Sequence, residues 1–374
     1  MKRLVKKSIK WAFSHFVPKA VRERTKRRIL AWADSQRPKP APEIPSVTNP
    51  CYGKIYIPYN PYDRFAEGNE PRLYNSEGRK LDVWFIRDRI GAALPYSDSK
   101  YIAWDRYNVS LPVHFYCHGA VLETMGKPDH RYAWFIESES IIPEEYALFE
   151  TRKGLAGDFD AVFTYSEKLL NSLPNAKFFP SCASMWYGKE VFHGVPDKTV
   201  LDGEACPRKT KNISMVCSAK KYTPLHEIRH RFAADAQASG AVDVFGGFGG
   251  GQWMPYKSQS LADYRFQIVV ENDINPYYFT EKIIDCFAAM TIPVYLGASR
   301  IGDFFNADGI ITIEKDTPIE SILKRCTAEF YEERLPAVRE NFRRSLRYRS
   351  VDDLLYETFF RGGQGECHGI FKEA

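Results

Sequence analysis

The chain has 374 residues, 44% of them hydrophobic and 14% aromatic, with a formal net charge of +5 at pH 7. This length suggests two domains, and the apolar content is ample for their cores. The net positive charge comes from residues 1–40, which hold thirteen Lys/Arg and two acidic residues. The rest of the chain has 39 basic and 45 acidic residues. The body is therefore mildly acidic, which argues against a nucleic-acid-binding protein.

Residues 1–37 have the pattern of a basic amphipathic segment. Val5, Ile9 and Phe13 fall on one helical face with the lysines mostly off it, and a second basic helix is predicted at Val21–Trp32. Such a segment suits an anionic membrane surface, while packing on the protein's own body is the alternative. No apolar run is long enough to span a bilayer, and the features of a cleaved signal peptide are missing.

The order of apolar runs and helical stretches predicts five parts of the chain. They are a basic N-terminal segment with a Pro-rich linker at 1–45, an α/β domain at 46–190, a polar connection at 191–211, a second α/β domain at 212–345, and a C-terminal helix and tail at 346–374. The first domain is predicted to contain strands at Leu81–Ile86, Val113–Tyr116, Tyr132–Ile136 and Ala161–Thr164, and helices at Pro143–Leu155 and Ser166–Leu173.

Two carboxylates follow the third of these strands, where α/β sheets place functional groups. A carboxylate in such a position can act as a general base, and Glu137 and Glu139 are both candidates. The structural alternative is that both are solvated residues at the start of a helix at Pro143. Asp158-Phe159-Asp160 has the form of an Asp-x-Asp metal motif, but no second ligand cluster accompanies it.

The second domain is predicted to start with a strand at Asn212–Cys217, a basic turn and a helix at Leu225–Ser239. Arg229 on this helix is a candidate ligand for a diphosphate, because a bidentate guanidinium can stabilise a leaving phosphate without a metal. A strand at Val242–Phe245 and the glycine-rich turn Gly246–Gly251 follow. The glycine pattern is not that of a dinucleotide-binding loop.

The stretch 265–297 predicts a βαβ unit, with strands at Phe266–Val270 and Ile292–Leu296 and a helix starting near Thr280. Polar residues gather at the N-terminus of this helix, where unpaired N–H groups favour an anion: Glu271, Asn272, Tyr278, Glu281 and Lys282. A carboxylate for a ribose, a lysine for phosphate and an aromatic ring for a base would form a nucleotide site. The alternative is a charged loop on an ordinary α/β domain.

The same stretch resembles a known family through three linked elements: Glu271-Asn272, Tyr278-Phe279-Thr280-Glu281-Lys282, and Thr291-Ile292-Pro293-Val294-Tyr295-Leu296-Gly297. In this order and spacing they are similar to the signature of glycosyltransferase family 10, the α-1,3/α-1,4-fucosyltransferases, of bacterial type. Asp273 stands where family members usually have Ser or Thr. Two shorter stretches also resemble family motifs, Glu139-Ser140-Ile141-Ile142-Pro143 and Ile228-Arg229-His230-Arg231-Phe232.

The resemblance implies the GT-B fold, in which two Rossmann-like α/β domains face each other across a cleft. It implies transfer of L-fucose from GDP-fucose to a hydroxyl of a glycan, with no tightly bound cofactor and no required divalent metal. The implied roles are Glu139 as general base, Arg229 and Lys282 as diphosphate ligands, Glu281 as ribose ligand, and Asn272 and Tyr278 as lining of the guanosine and sugar pocket.

The eight cysteines show no metal-ligand spacing, and several lie inside apolar segments, which favours a reducing compartment. Together with the basic N-terminus this predicts a cytoplasmic protein, peripheral to a bacterial inner membrane, that acts in surface glycan or lipopolysaccharide synthesis. Two alternatives stay open: a transferase of the same fold with a different nucleotide-sugar donor, and a non-catalytic, membrane-attached sugar-binding protein.

Overall fold

The computed structural model describes residues 73–87, 99–106, 108–123, 125–181, 184–190, 196–197, 208–251 and 254–361, and the backbone of a short hairpin formed by Thr48–Asn49 (β1) and Gly53–Lys54 (β2). The predicted membrane-binding segment, residues 1–37, lies outside the described residues. Within the described ranges, no helix combines the length and apolar character needed to cross a bilayer.

The first sheet has six parallel strands in the order β4-β3-β5-β6-β7-β8. Their bounds are Asp82–Arg87 (β3), Ile102–Asp105 (β4), Val113–Cys117 (β5), His130–Phe135 (β6), Ala161–Thr164 (β7) and Ala176–Phe178 (β8). The four predicted strands are confirmed with small shifts at their ends. The two edge strands, β4 and β8, were not predicted. β8 has only three residues, with Lys177 in the middle, and so shows no apolar run.

The second sheet has five parallel strands in the order β10-β9-β11-β12-β13. Their bounds are Lys211–Val216 (β9), Val242–Phe245 (β10), Tyr264–Val270 (β11), Ile292–Leu296 (β12) and Ile311–Thr312 (β13). The predicted strands of this domain are confirmed, and the two-residue β13 is an addition. In both sheets the strand order reverses once, next to the first strand of the domain, and ligands of open α/β sheets bind outside the carboxyl ends at that switch point.

The α-helices of the described residues pack around these sheets. They are Pro143–Tyr146 (α1), Leu148–Thr151 (α2), Glu167–Ser172 (α3), Pro224–Ser239 (α4), Ser258–Leu261 (α5), Glu281–Ala288 (α6), Ile319–Arg325 (α7), Ala328–Glu333 (α8), Leu335–Ser345 (α9) and Val351–Phe359 (α10).

The predicted single helix Pro143–Leu155 is wrong. The segment forms the two short helices α1 and α2, followed by a 3-10 turn at Leu155–Asp158. Gly154, in the left-handed region with φ of 85°, separates this turn from α2. A left-handed residue cannot continue a right-handed helix, so the chain changes direction there.

The last helix, α10, returns to the first sheet. Trp104 Nε1 on β4 donates to Asp352 Oδ1 at 3.0 Å, and the rings of Trp84 and Tyr356 stack with centroids 5.9 Å apart. The hydrophobic core of the first sheet also continues into the second domain through residues of α6, such as Ile283 and Phe287. One face of the second sheet therefore shares a core with the first sheet, while Ile213 and Phe266 belong to a separate hydrophobic cluster of the second domain.

The carboxyl ends of the two sheets face each other. The Tyr278 hydroxyl, in the loop after β11, donates to Oε1 of Glu137, in the loop after β6, at 3.3 Å. This contact joins the strand ends of two separate parallel sheets. The predicted fold class, two Rossmann-like domains facing each other across a cleft, is confirmed.

Candidate functional site

The loops after β9 and β11 meet at the switch point of the second sheet. Thr223 caps the start of α4, and its hydroxyl donates to the carbonyl of Asn272 at 3.1 Å. The N-terminus of α6 opens nearby, capped by the Thr280 hydroxyl, which accepts from the Lys282 N–H. Two helix N-termini therefore lie next to the loop after β11, and unpaired N–H groups at such ends favour anions.

Arg229 is buried beside this loop rather than exposed at the surface. It is 5% exposed, its Nε donates to the Val270 carbonyl at 2.9 Å, and its Nη2 donates both to that carbonyl and, at 2.9 Å, to Asn272 Oδ1. Burial lowers the pKa of the guanidinium, but arginine stays charged in proteins. The side chain therefore fixes the orientation of Asn272 and holds a positive charge at the end of β11.

Glu271 is the buried centre of the loop. Its side chain is fully buried, Oε1 accepts from Thr280 N at 3.0 Å, and Oε2 accepts from the Thr280 hydroxyl at 2.8 Å. Lys282 Nζ lies 3.3 Å from the same Oε2 and donates to the Thr280 hydroxyl at 2.9 Å. A buried charge needs such partners, and here they hold Lys282 at the N-terminus of α6.

Electrostatics keep Lys282 and Glu281 ionised. Burial by itself would lower the pKa of Lys282, but the carboxylates of Glu281 and Glu271 outweigh burial and raise it. Burial would raise the pKa of Glu281, but Lys282 and Lys257 outweigh burial and lower it. At neutral pH the site therefore presents an ammonium group for a phosphate beside a carboxylate suited to hydroxyl groups.

Gly297 makes room for this arrangement. A Cβ built on Gly297 would lie 2.6 Å from Glu271 Cγ and still closer to the Tyr295 hydroxyl oxygen. A side chain here would force Tyr295 or Glu271 to move, so the last residue of the predicted motif is glycine for a steric reason. The end of β12 thus shapes the site at the end of β11.

Tyr278 connects this loop to the first domain. The residue is 1% exposed, its ring packs 5.2 Å from that of Tyr165, and its hydroxyl contacts Glu137. The ring face that was expected to stack on a base is therefore covered in this structure. Its hydroxyl, in contrast, orients a carboxylate of the opposite domain.

The two candidate carboxylates of the first domain point to different places. Glu137 contacts Tyr278 of the donor loop, whereas Glu139 Oε2 accepts from the Ser166 hydroxyl at 3.4 Å. The Glu139 backbone N–H donates to the Tyr165 hydroxyl at 2.9 Å. The geometry brings Glu137 toward the cleft and leaves Glu139 against its own domain.

The peptide group of Glu137 is held on both sides by buried residues. Its N–H faces His118 Nε2 at 3.4 Å, and its carbonyl accepts from the hydroxyls of Tyr146 at 2.7 Å and Tyr165 at 3.3 Å. His118 is fully buried with a left-handed φ of 55°, and burial lowers its pKa to about 3, so the ring is neutral. A non-glycine residue in this region stores strain, which is common at functional sites.

Residues 206–325 match the family model described as "Glycosyltransferase family 10 (fucosyltransferase) C-term". The predicted resemblance is confirmed for this region. The match covers less than half of the chain and contains the whole loop from Glu271 to Lys282. It classes this region as a transferase domain.

One relative and two solved structures illustrate the similarity. The chain is 35% identical over 57 residues to the alpha-(1,3)-fucosyltransferase FucT of Helicobacter pylori, an alignment of 15% of this chain and 12% of that enzyme. An alpha1,3-fucosyltransferase crystallised with GDP aligns at 16% identity and a TM-score of 0.43, covering 76% of this chain and 91% of that one. TarM aligns at 13% identity and a TM-score of 0.41, covering 65% and 53%.

Within the family 10 region, the structure adds residues that sequence reasoning missed. His226 completes the cap of α4 with Thr223, Lys257 lies close enough to lower the pKa of Glu281, and Asp285 lies one turn after Glu281 on α6. The His226 cap has a local signal, a Thr followed three residues later by a group that can accept the Thr N–H. Lys257 has none, because only the fold brings it near Glu281.

The formal Asp158-Phe159-Asp160 motif has no metal-binding geometry around it. Asp160 Oδ2 accepts from Arg131 N at 2.9 Å and lies 3.3 Å from His130 Nδ1. Across the described ranges, no three His, Cys, Asp or Glu side chains converge on a point where they could hold a metal ion.

Proposed function

We propose that the chain is a glycosyltransferase that moves L-fucose from GDP-fucose to a hydroxyl group of a glycan, with inversion of the anomeric carbon. The observation that carries this proposal is the contact between Tyr278 and Glu137, because it joins an anion-binding helix terminus to a carboxylate across one cleft. The family match over residues 206–325 supports a GDP-linked fucose as the donor.

In this proposal the second domain binds the donor. Lys282 and the N-terminal N–H groups of α6 hold the diphosphate, and the charge of Arg229 lies behind Asn272 at the end of β11. Glu281, ionised beside Lys282, accepts hydrogen bonds from the ribose hydroxyls. Fixed positive charge around the diphosphate stabilises the negative charge that the departing GDP develops.

The first domain supplies the base. Glu137 takes the proton of the acceptor hydroxyl while that oxygen forms a bond to the fucose anomeric carbon. The bond from this carbon to the diphosphate oxygen breaks at the opposite face, and its electron pair leaves with GDP. Attack opposite the leaving group converts a β-linked donor into an α-linked product.

We further propose that residues 1–37 hold the enzyme at the cytoplasmic face of a bacterial inner membrane, for surface glycan or lipopolysaccharide synthesis. The support is their charge, thirteen Lys/Arg within residues 1–40, since each basic residue near an anionic surface contributes about 1 kcal/mol. Cosedimentation with anionic vesicles tests this. A chain without residues 1–37 should stay in the supernatant, and unchanged sedimentation would overturn the proposal.

The transfer reaction is tested in two steps. Ligands that bind the native state raise the melting temperature by mass action, so GDP and GDP-fucose should stabilise the protein more than GDP-mannose, UDP-glucose or UDP-galactose. With a glycan acceptor, the product should carry α-linked fucose by NMR. Stabilisation by a different nucleotide sugar would identify that compound as the donor instead of GDP-fucose. Binding of GDP-fucose without transfer to any glycan would indicate a sugar-binding protein and not a transferase.

A further inference from the structure

His226 lies at the N-terminus of α4, with its side chain almost entirely enclosed. It is the third residue of the helix and is 2% exposed. Its Nδ1 lies 3.2 Å from Thr223 N and 2.9 Å from the Thr223 hydroxyl oxygen. These contacts form the cap of α4, whose threonine also bonds to the Asn272 carbonyl in the donor loop.

The cap decides which ring nitrogen carries the proton. A backbone N–H can only donate, so the Nδ1 that faces Thr223 N has a free lone pair. Burial, together with the nearby charges of Arg229, Lys282 and Lys220, lowers the pKa of His226 to about 4. The ring is therefore neutral at physiological pH, and its proton is on Nε2.

This Nε2–H has no acceptor within the described part of the chain. The hydrogen bonds of the ring all involve Nδ1. The side chain as a whole is almost fully buried, but Nε2 is not one of the polar atoms that are fully buried without a partner. Nε2 is therefore the polar atom of the ring that stays open to a ligand or to solvent. The charges around the ring are mainly positive, so the partner that they favour is an anion.

We propose that His226 is a further ligand of the donor diphosphate and donates its Nε2–H to a phosphate oxygen. The inference rests on the proposed donor site, to which it adds a residue. The loop after β11 links the two helix termini, since the Asn272 carbonyl accepts from Thr223 of the α4 cap while the preceding residue, Glu271, accepts from Thr280 of the α6 cap. Both helix termini at the switch point would then contact the same diphosphate, through His226 on α4 and Lys282 on α6.

Two substitutions separate the ligand role from the capping role. In His226→Asn, Oδ1 takes the place of Nδ1 and can still accept from Thr223 N, but the donor at the Nε2 position is lost. In His226→Gln, the amide nitrogen takes the place of Nε2, but the acceptor for the cap is lost. His130→Asn, at an exposed position of the first domain, controls for loss of an imidazole.

Calorimetric titration with GDP, inorganic pyrophosphate and guanosine gives the readout. We expect His226→Asn to weaken GDP and pyrophosphate binding by roughly tenfold, the typical effect of one hydrogen bond to a charged group, and to leave guanosine binding and melting temperature unchanged. His226→Gln should recover most of that affinity while melting at a lower temperature. His130→Asn should bind all three ligands as the wild type does.

Two results would overturn the inference. One is His226→Asn binding GDP as tightly as the wild type, and the other is an equal loss of guanosine and GDP affinity, which would indicate a general effect of the cap. The same titrations test the proposed function separately. If the wild-type chain binds neither GDP nor pyrophosphate, the proposed donor site itself is ruled out.

Discussion

The hydroxyl of Tyr278 donates to Oε1 of Glu137 at 3.3 Å, and the two residues follow strands of different sheets. Burial raises the pKa of the Tyr278 phenol well above its ordinary value, and the neighbouring carboxylates of Glu137 and Glu271 raise it further. The phenol therefore keeps its proton at neutral pH. It is a fixed donor that orients the proposed base before substrate arrives.

Glu137→Gln should abolish transfer and preserve donor binding. The amide cannot accept the acceptor's proton, and general-base catalysis typically contributes 10²–10⁴-fold. We expect kcat to fall by at least about 10²-fold, with GDP affinity within about twofold of the wild type because the donor contacts lie in the other domain. Initial-rate kinetics with GDP-fucose and a glycan acceptor, together with GDP titration, measure both quantities.

Glu139→Gln is the matched control, two residues along the same loop. Because Glu139 contacts Ser166 within its own domain, this variant should retain most of its turnover. The opposite result, loss of transfer in Glu139→Gln with activity kept in Glu137→Gln, would assign the base to Glu139, as the sequence motif implies.

Gly297→Ala should weaken donor binding although Gly297 is not a proposed ligand. The added Cβ would lie 2.6 Å from Glu271 Cγ, so the carboxylate that holds Thr280 and Lys282 has to shift. We expect GDP affinity to fall by at least about tenfold and the protein to lose about 1–3 kcal/mol of stability, as overpacking of a buried site typically does.

Gly157→Ala provides the control for this substitution, since a Cβ at that position meets nothing within 4 Å. Titration with GDP and chemical unfolding should both give wild-type values for it. If Gly297→Ala also binds GDP normally, the Glu271 network is not needed to position Lys282.

Lys209→Met should destabilise the fold without acting on the cleft. Lys209 is 7% exposed, and its Nζ donates to the carbonyls of Leu261, Ala262 and Ala289 and to the Thr291 hydroxyl. Removing the ammonium group leaves these buried acceptors without a donor, which should lower the free energy of unfolding by about 2–4 kcal/mol. Urea unfolding measures this loss, and Lys324→Met on the exposed face of α7 should change stability by less than about 0.5 kcal/mol. Equal effects of the two substitutions would contradict the structural role.

Asp285 should make stability depend on pH between about 4 and 7. Burial raises its pKa from 3.8 to about 7. Its Oδ1 accepts from Trp186 N at 2.8 Å and from Tyr187 N at 2.9 Å, whereas its Oδ2 has no partner in the described ranges. In this window the unfolded chain has released the proton that the folded chain keeps. The free energy of unfolding therefore falls as pH rises, and this loss is complete only above the folded pKa.

Asp285→Asn should reduce this slope, because an amide does not titrate and Oδ1 can still accept both N–H groups. Urea unfolding at a series of pH values gives the slopes. Asp308→Asn at an exposed position should keep the wild-type slope, and a wild-type slope in Asp285→Asn would mean that another group titrates.

The donor βαβ unit was predictable because its signals are local. Apolar runs define β11 and β12, and Thr280 at the start of a periodic apolar stretch marks a capped helix. The geometry around Gly297 could not be predicted from the sequence. Gly297 follows β12, and its neighbour Glu271 follows the adjacent strand β11. For the general base, the sequence resemblance favoured Glu139, while the turn after β6 directs Glu137 to the cleft. No periodicity in the sequence distinguishes two residues that are two positions apart in a loop.

Sequence reasoning also gave no role to His118 or His226, because a single histidine has no pattern. His118 does follow an apolar strand at the switch point of the first sheet, a position where function is expected. The role of each histidine depends on which ring nitrogen carries the proton. A hydrogen bond from a backbone N–H sets this position, from Glu137 to His118 and from Thr223 to His226.

The buried residues around the Glu137 peptide group also bear on the speed of catalysis. Because the backbone is already fixed, the carboxylate can turn from Tyr278 to an acceptor hydroxyl by rotation about side-chain bonds alone. Rotamer changes of accessible side chains take picoseconds to nanoseconds, whereas loop and domain rearrangements extend to milliseconds and typical turnover takes about 1 to 100 ms. We infer that movement of the base does not limit turnover, which leaves substrate entry, bond breaking or release of GDP as the slow step.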